Sequence, residues 1–171
     1  MKIVLIIGSN SFTGSHLVQH CLEKGYKVIG ISRSDEYPKV MLPYLYNGNK
    51  SSNFSFFKLD VNEDLNKILK ICDANEPEII ANFAAQGEVR SSWQNPSQWY
   101  ETNTIAIVKL TDKLRSRSYL KKYLTASTPE VYGSTSDNLK ENHNYFPSTP
   151  YAASKLAGDL HLITLYKRYE F

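Results

Sequence analysis

The strongest constraint on the fold is a regular alternation of short apolar runs with helix-like segments. The first run, residues 2–7, is almost entirely apolar, which is the pattern of a parallel strand covered on both faces. A glycine turn and a segment with apolar residues at helical spacing follow it directly. The alternation predicts strands at 2–7, 26–32, 54–59, 78–83 and 121–126, and helices at 15–24, 62–74, 97–117 and 150–170.

This order of elements favours an α/β fold, because parallel strands must be joined by crossover segments that are usually helices. We therefore expect a doubly wound parallel sheet of the Rossmann type, with strand order 3-2-1-4-5 and helices on both faces. The 171 residues, 42% of them hydrophobic, predict one domain over residues 1–171.

Composition argues against several classes of function. A net charge of +3, without a basic stripe, argues against a nucleic-acid partner. The apolar runs are too short to span a membrane, and Met1 and Lys2 lead straight into the first strand without a signal peptide. Cys21 and Cys72 lack metal-ligand spacing, so we expect no metal site and buried free thiols in a reducing cytoplasm.

Ligands of open parallel sheets bind beyond the carboxyl ends of the strands, near the point where strand order reverses. The stretches that suit binding or chemistry all follow predicted strands. They are residues 8–14, Ser32 and Arg33, Asp60, residues 84–86 and residues 127–130. The loop at 127–148 is long enough to indicate a function, whereas 33–53 is expected to be a short helix or a surface loop.

The glycine turn at 8–14 predicts dinucleotide binding, because it offers N–H groups and the positive end of a helix dipole to a pyrophosphate. Gly8 and Gly14 would allow the tight turn and the close helix–strand packing. Ser11 stands where a middle glycine is common. Its β-carbon narrows the space for a diphosphate, while its hydroxyl can donate a hydrogen bond.

Residues after the second strand bear on the choice of dinucleotide. An acidic residue there would hold the ribose hydroxyls of NAD, but Ser32 and Arg33 occupy the place and Asp35 comes late. A hydroxyl and a guanidinium suit a 2′-phosphate better than a diol. The sequence favours NADP, with NAD as the alternative.

Tyr151 and Lys155 form a candidate catalytic pair. Thr149 can cap the last helix and Pro150 suits its first position, so the pair lies on one face, about one turn apart. The ammonium favours the phenolate, which lets the pair exchange a proton with a hydroxyl or carbonyl oxygen near neutral pH. The spacing alone is also common on solvated helix faces.

Several motifs stand in the order and spacing of one enzyme family. They are residues 8–14, Asp60-Val61, Asn82-Phe83-Ala84-Ala85-Gln86, Asn103, Ser127-Thr128-Pro129-Glu130-Val131-Tyr132-Gly133 and Tyr151 with Lys155. Together they resemble the extended short-chain dehydrogenases, over essentially the whole chain. Within that family the chain looks most like the nucleotide-sugar epimerase/dehydratase branch, and in particular like GDP-mannose and dTDP-glucose 4,6-dehydratases.

The resemblance implies an NAD(P) site. The residues at the pyrophosphate would be Gly8, Asn10, Ser11, Phe12, Thr13 and Gly14, and those at the adenine Asp60 and Val61. Phe83, Ala84 and Ala85 would lie at the nicotinamide, and Asn103 would help to hold the cofactor. Tyr151 and Lys155 would also contact the cofactor, Lys155 at the ribose.

The resemblance also implies a catalytic group of four residues. Thr128 would bond the sugar's 4-oxygen, and Gln86 would contact the substrate. Tyr151 would take the proton of the C4 hydroxyl while hydride leaves for the nicotinamide, and Lys155 would lower the pKa of the tyrosine. Glu130 would remove the C5 proton once C4 is a ketone, after which water is lost from C6.

Two alternatives to a 4,6-dehydratase stay open. In dTDP-glucose dehydratases an aspartate at the position of Pro129 protonates the leaving hydroxyl; GDP-mannose enzymes also lack it, so Glu130 or water would serve. A nucleotide-sugar 4-epimerase uses the same tyrosine and lysine but usually has no glutamate at 130. A non-catalytic dinucleotide-binding module is the third reading.

Family members run to nearly twice this length, and their further residues form a small domain that grips the nucleotide of the sugar substrate. We therefore expect residues 1–171 to be the cofactor-binding half of such an enzyme, without the C-terminal substrate domain. The resemblance also implies a homodimer formed through the helices at 97–117 and 150–170.

Overall fold

The sheet confirms the expected fold class. In a computed structural model that describes residues 1–46, 51–136 and 138–171, five parallel strands form one sheet in the order β3-β2-β1-β4-β5. The strands are β1 (Ile3–Ile7), β2 (Lys27–Ser32), β3 (Phe54–Lys58), β4 (Ile79–Asn82) and β5 (Lys122–Thr125). The doubly wound parallel sheet flanked by helices is thus confirmed, and each strand ends within one residue of its predicted bounds.

The central position of β1 explains its apolar sequence. It pairs with β2 on one side and β4 on the other, so that Ile7 lies beside both Ile31 and Asn82. Its side chains from Val4 to Ile7 are buried, as expected for a strand covered on both faces. Residues of the buried core around it are Val4, Ile6, Val18, Cys21, Val28, Leu42, Phe54 and Ala81.

Six α-helices and three 3₁₀ turns are found in the part of the chain that the structure describes. The helices are α1 (Phe12–Glu23), α2 (Leu65–Asn75), α3 (Val89–Ser92), α4 (Pro96–Tyr100), α5 (Ala106–Leu114) and α6 (Pro150–Tyr169), with a π-helical turn (Glu101–Ile105) between α4 and α5. The 3₁₀ turns are Lys39–Met41, Pro43–Leu45 and Pro129–Tyr132. The first two agree with the short helix or loop predicted over 33–53, of which residues 47–50 lie outside the described residues.

The chain divides into two compact units. Unit 1 contains Met1–Ala84 and Asp112–Thr125, and so includes the whole sheet with α1 and α2. Unit 2 contains Ala85–Thr111 and Ala126–Phe171, and so includes α3, α4, the π turn, the first part of α5, and α6.

The predicted starts of two helices are wrong, because side chains that bond backbone N–H groups set these starts. α1 begins three residues earlier than predicted, since the Ser11 hydroxyl accepts the N–H of Gly14 at 3.0 Å and caps the helix. α2 begins three residues later than predicted, since the Asp60 carboxylate accepts the N–H of Asn62 at 2.8 Å and holds a turn there.

The helix predicted at 97–117 is interrupted and ends at Leu114. Inside its π turn, the carbonyl of Asn103 approaches Gly158 of α6 so closely that a β-carbon on the glycine would overlap the oxygen. A π turn inside an α-helix often marks a functional position. The preceding turn, α3, was not predicted; Glu88 caps it by accepting the N–H groups of Arg90 and Ser91 at 2.8 and 2.6 Å.

We expect Gly158→Ala to lower the free energy of unfolding by roughly 1–3 kcal/mol, the usual cost of overpacking, although alanine normally favours a helix over glycine by about 1 kcal/mol. The added methyl group would meet the Asn103 carbonyl and lie 3.1 Å from Cδ1 of Ile107. Urea denaturation measures the difference. Gly87→Ala is the control, because nothing lies within 4 Å of a β-carbon there; a neutral or stabilising Gly158→Ala would contradict the close packing.

Candidate active site

The turn after β1 has the geometry of a phosphate-binding loop. Gly8 has a φ of +82°, and a β-carbon on it would lie 2.7 Å from the backbone nitrogen of Ala84. A β-carbon on Gly14 would overlap the carbonyl oxygen of Gly8. Both positions therefore require glycine, and the turn lies directly against the chain that leaves β4.

Two N–H groups at the start of α1 remain for a ligand. The Ser11 hydroxyl accepts the N–H of Gly14, while the N–H groups of Phe12 and Thr13 have no acceptor among the described residues. As an acceptor, the serine oxygen keeps its own hydrogen for a further bond. Free N–H groups at a helix N-terminus bind phosphate, so this turn fits the pyrophosphate of a dinucleotide.

The residues after β2 are fixed to the same turn. The buried Ser32 hydroxyl accepts the N–H of Asn10 at 3.0 Å. Asn10 in turn donates from Nδ2 to the carbonyl of Asp35 at 2.8 Å, and its buried Oδ1 has no partner within the described residues. Arg33 is exposed, whereas the Asp35 carboxylate is paired with Lys58 at 2.8 Å. The exposed guanidinium of Arg33, which adjoins this fixed segment, suits a phosphate group better than a ribose diol.

Asn82 belongs to the motif at 82–86, but the sequence alone assigned it no role. Its Oδ1 accepts the N–H of Ala84 at 3.0 Å, and its Nδ2 donates to the hydroxyl of Tyr123 at 3.0 Å. The N–H of Phe83 donates to the carbonyl of Ile7 at 2.8 Å. Asn82 therefore fixes the backbone where β4 ends. In the sequence, the signal for this role is an amide residue at the end of an otherwise apolar strand.

The adenine candidates lie at the end of β3. Asp60 is half-buried and its Oδ1 already accepts the N–H of Asn62, and Val61 is buried. The cofactor candidates of unit 1 are therefore the turn after β1, Ser32, Arg33, Asp60, Val61, Phe83 and Ala84. Ala85 and the remaining candidates belong to unit 2.

Tyr151 and Lys155 occupy the first two turns of α6, as predicted. Thr149 caps the helix by accepting the N–H of Ala152 at 3.1 Å, and Pro150 takes the first helical position. Tyr151 is half-buried, and Lys155 is only 5% exposed. Burial lowers the pKa of Lys155, and the nearby Asp159 carboxylate partly offsets this effect.

Asn103 joins the Tyr/Lys helix to the segment that carries Gln86. Its Oδ1 accepts the N–H of Gln86 at 2.8 Å, and its Nδ2 donates to the carbonyl of Gln86 and to the hydroxyl of Ser154, both at 3.0 Å. Thr104, the next residue, donates to the carbonyl of Ser154 at 2.8 Å. Asn103 is 1% exposed, and its side chain bonds the Gln86 backbone and the Ser154 hydroxyl instead of solvent. Ser154 and Thr104 were missed by sequence reasoning.

Thr128 and Glu130 lie on the 3₁₀ turn Pro129–Tyr132. Thr128 is buried and caps this turn, its hydroxyl accepting the N–H of Glu130 at 3.4 Å. An open cavity of about 760 Å³ adjoins Thr128, while Glu130, which is half-buried, is not among the residues that line it. Residues with polar groups on its wall include Ser127, Thr128, Tyr132, Glu141, His143 and Asp159.

Unit 2 thus contains the four catalytic candidates, together with Ala85, Gln86 and Asn103. Within the described ranges, no three His, Cys, Asp or Glu side chains cluster in a way that suits a metal ion. Nor does any helix in these ranges have the length and apolar character needed to cross a bilayer.

We expect Lys155→Met to raise the melting temperature near neutral pH while weakening the binding of an NAD(P) cofactor at least tenfold. The buried ammonium is disfavoured in the fold, because its pKa there is lowered relative to the unfolded chain. The free-energy cost of burying the charged lysine is fully present below the pKa of Lys155 in the folded chain, and it disappears as the pH rises towards the pKa in the unfolded chain. The stability gained by Lys155→Met must therefore shrink in alkaline buffer. Thermal unfolding at several pH values and cofactor titration provide the measurements. A melting temperature that falls near neutral pH would contradict this account.

Known proteins are similar to this chain over nearly its whole length. Residues 5–171 match the family model described as GDP-mannose 4,6 dehydratase. GDP-mannose 4,6 dehydratase 1 of Arabidopsis thaliana is 30% identical over 98% of this chain and 48% of its own length. UDP-glucose 4-epimerase of Mycolicibacterium smegmatis is 32% identical over 92% of this chain and 49% of its own length.

Solved structures with the same fold include a 4-epimerase. The UDP-glucuronic acid 4-epimerase of Bacillus cereus, in complex with UDP-glucuronic acid and NAD, has a TM-score of 0.81 and 28% identity, over 99% of this chain and 54% of that one. The chain therefore spans about half the length of the relatives it matches. The family model covers nearly all of the sequence, so the resemblance inferred from the motifs is confirmed. This chain belongs to the GDP-mannose 4,6 dehydratase family.

Proposed function

We propose that this chain is the cofactor-binding half of a nucleotide-sugar 4,6-dehydratase that uses NADP. The observation that carries the proposal is that Tyr151 and a buried Lys155 lie one turn apart on α6, in the same unit as the turn that bears Thr128 and Glu130. Membership of a family of 4,6-dehydratases supports it. GDP-mannose is the first substrate to test, because the family model carries that name.

Residues of unit 1 would bind the cofactor. The N–H groups of Phe12 and Thr13 would bind the pyrophosphate, which the two glycines of the turn leave room to approach. Asp60 and Val61 would contact the adenine, and Arg33 would bind the 2′-phosphate. A cofactor bound there would supply an acceptor for the hydride of the sugar's C4 and, later, the donor of a hydride to C6.

Residues of unit 2 would move the protons. The Tyr151 oxygen would take the proton of the C4 hydroxyl, aided by the positive charge of Lys155. The Thr128 hydroxyl, which accepts the N–H of Glu130, keeps its hydrogen for the sugar's 4-oxygen. The Glu130 carboxylate would take the proton of C5, which the C4 carbonyl makes acidic. Hydroxide then leaves C6 and takes up a proton from Glu130 or water, since Pro129 has none to give.

We expect the chain to bind NADPH at least tenfold more tightly than NADH, and Arg33→Gln to remove most of this preference. A charge-assisted hydrogen bond contributes about 1.5–3 kcal/mol, which is tenfold or more in affinity. Titrations followed by nicotinamide fluorescence measure it. Lys70→Gln, an exposed cation on α2, is the control and should bind as the wild type does. Tighter binding of NADH would overturn the choice of NADP.

A 4-epimerase is the second candidate function. The Mycolicibacterium smegmatis relative and the Bacillus cereus structure, both 4-epimerases, favour it, and the latter also contains NAD. An epimerase inverts C4 through the same tyrosine and lysine and needs no base at C5. A third candidate, a non-catalytic module, would bind cofactor and leave the sugar unchanged.

We expect deuterium to separate these candidates. In deuterium oxide, with GDP-mannose, NADP and protein at comparable concentrations, a dehydratase yields a dehydrated sugar labelled at C5. Glu130→Gln should lower this labelling about a hundredfold or more, the usual contribution of a general base, while C4 oxidation continues. Mass spectrometry and NMR of the sugar provide the measurement. A C4-inverted sugar without label at C5 would identify an epimerase, and Glu101→Gln, which removes an exposed carboxylate outside the cavity, is the control.

Three further statements belong to the same proposal. Residues 1–171 act as one dinucleotide-binding domain, and the protein works in the cytoplasm, to which the buried free thiols of Cys21 and Cys72 are suited. Two copies pair through the helices at 97–117 and 150–170. Exposed apolar side chains on these helices, such as Ile105, Leu160 and Tyr166, support the pairing.

A further inference from the structure

A hydrogen bond inside unit 2 joins the catalytic loop to the Tyr/Lys helix. The Ser127 hydroxyl donates to Oδ2 of Asp159, on the third turn of α6. Ser127 immediately precedes Thr128, the residue that caps the turn bearing Glu130. The bond therefore fixes the point at which this turn begins.

Asp159 is also placed to act on the buried ammonium. Tyr151, Lys155 and Asp159 follow one another at four-residue spacing, which puts their side chains on one face of α6. Lys155 is 5% exposed and Asp159 is half-buried, so the charges interact more strongly than they would in water.

The charges around Asp159 come from two elements. Lys155 lies on α6 itself, and Glu141 and His143 come from the loop that lines the same cavity, with the phenols of Tyr132 and Tyr145. Burial raises the pKa of Asp159, and the Ser127 hydrogen bond and the Lys155 charge oppose this. Asp159 is in turn the carboxylate that opposes the lowering of the Lys155 pKa.

We propose that Asp159 is a positioning residue with two actions: it holds Ser127, and with it the Thr128 turn, against α6, and its negative charge, one turn from Lys155, favours the charged form of that buried side chain. The importance of this for catalysis rests on the proposed function, in which Lys155 must be a cation beside Tyr151. The two actions themselves belong to the folded chain and do not depend on any substrate.

Three variants separate the two actions. Asp159→Asn keeps an oxygen that accepts the Ser127 hydroxyl but removes the charge. Ser127→Ala keeps the charge but removes the hydrogen bond, and Asp159→Ala removes both. Glu101→Gln, which removes an exposed carboxylate from the same unit, is the control for charge.

Both readouts use the chain without cofactor. Titration of ¹³Cε-labelled lysine by NMR, with the Lys155 signal assigned by Lys155→Arg, follows the ammonium. Hydrogen exchange of the Val131 and Gly133 amides, which donate to the carbonyls of Thr128 and Glu130 at 3.3 and 3.0 Å, follows the turn.

The expected results for Asp159→Asn and Ser127→Ala are opposite. Asp159→Asn should move the Lys155 titration to lower pH and leave amide protection intact, whereas Ser127→Ala should lower protection at least tenfold and leave Lys155 nearly unchanged. Asp159→Ala should do both, and Glu101→Gln neither. Wild-type behaviour of Asp159→Asn in the lysine titration, or of Ser127→Ala in exchange, overturns the corresponding action. Failure of the wild type to bind NADP(H) would instead count against the proposed function.

Discussion

Close approach of backbone to backbone at glycine is the constraint on which both units depend. In unit 1, Gly8 lets the turn after β1 lie against the backbone of Ala84, and Gly14 lets α1 begin over the carbonyl of Gly8. In unit 2, Gly158 lets α6 lie against the carbonyl of Asn103. A single methyl group at any of these places would force the segments apart. The N–H groups of the turn and the side chains of α6 keep their geometry because no side chain intervenes.

The chemistry proposed for unit 2 depends on a charge held where water is scarce. A buried ammonium acts strongly on a neighbouring phenol, because the local dielectric is low, but the same burial disfavours the ammonium itself. The fold opposes that loss with Asp159, whose own charge is supported by Ser127. Burial of the Lys155 ammonium therefore disfavours the folded state, which is the pattern expected where a group is retained for its reactivity rather than its packing.

The sequence was sufficient to predict the fold because strand and helix periods are set by burial. All five strands and their order were predicted, since apolar runs such as residues 2–7 permit little else. The helix boundaries were less predictable, because bonds from Ser11 and Asp60 override periodicity. The π turn and the hydrogen-bond partners of Asn103 and Asp159 escaped prediction. Those partners lie far along the chain, as Ser154 does for Asn103 and Ser127 does for Asp159. On the sequence, Asp159 is simply one more polar residue of a helix.

The difference between the two candidate reactions comes down to one 3₁₀ turn. Dehydration and epimerisation share the oxidation at C4, so Tyr151 and Lys155 would serve either reaction. Only the dehydration needs a base at C5, and Glu130 is held by a turn whose cap, Thr128, would also contact the sugar. Proline at 129 fixes the backbone at the start of that turn and brings no proton. The carboxylate would therefore remove the C5 proton, and either it or water would protonate the departing hydroxyl, whereas an epimerase requires neither step.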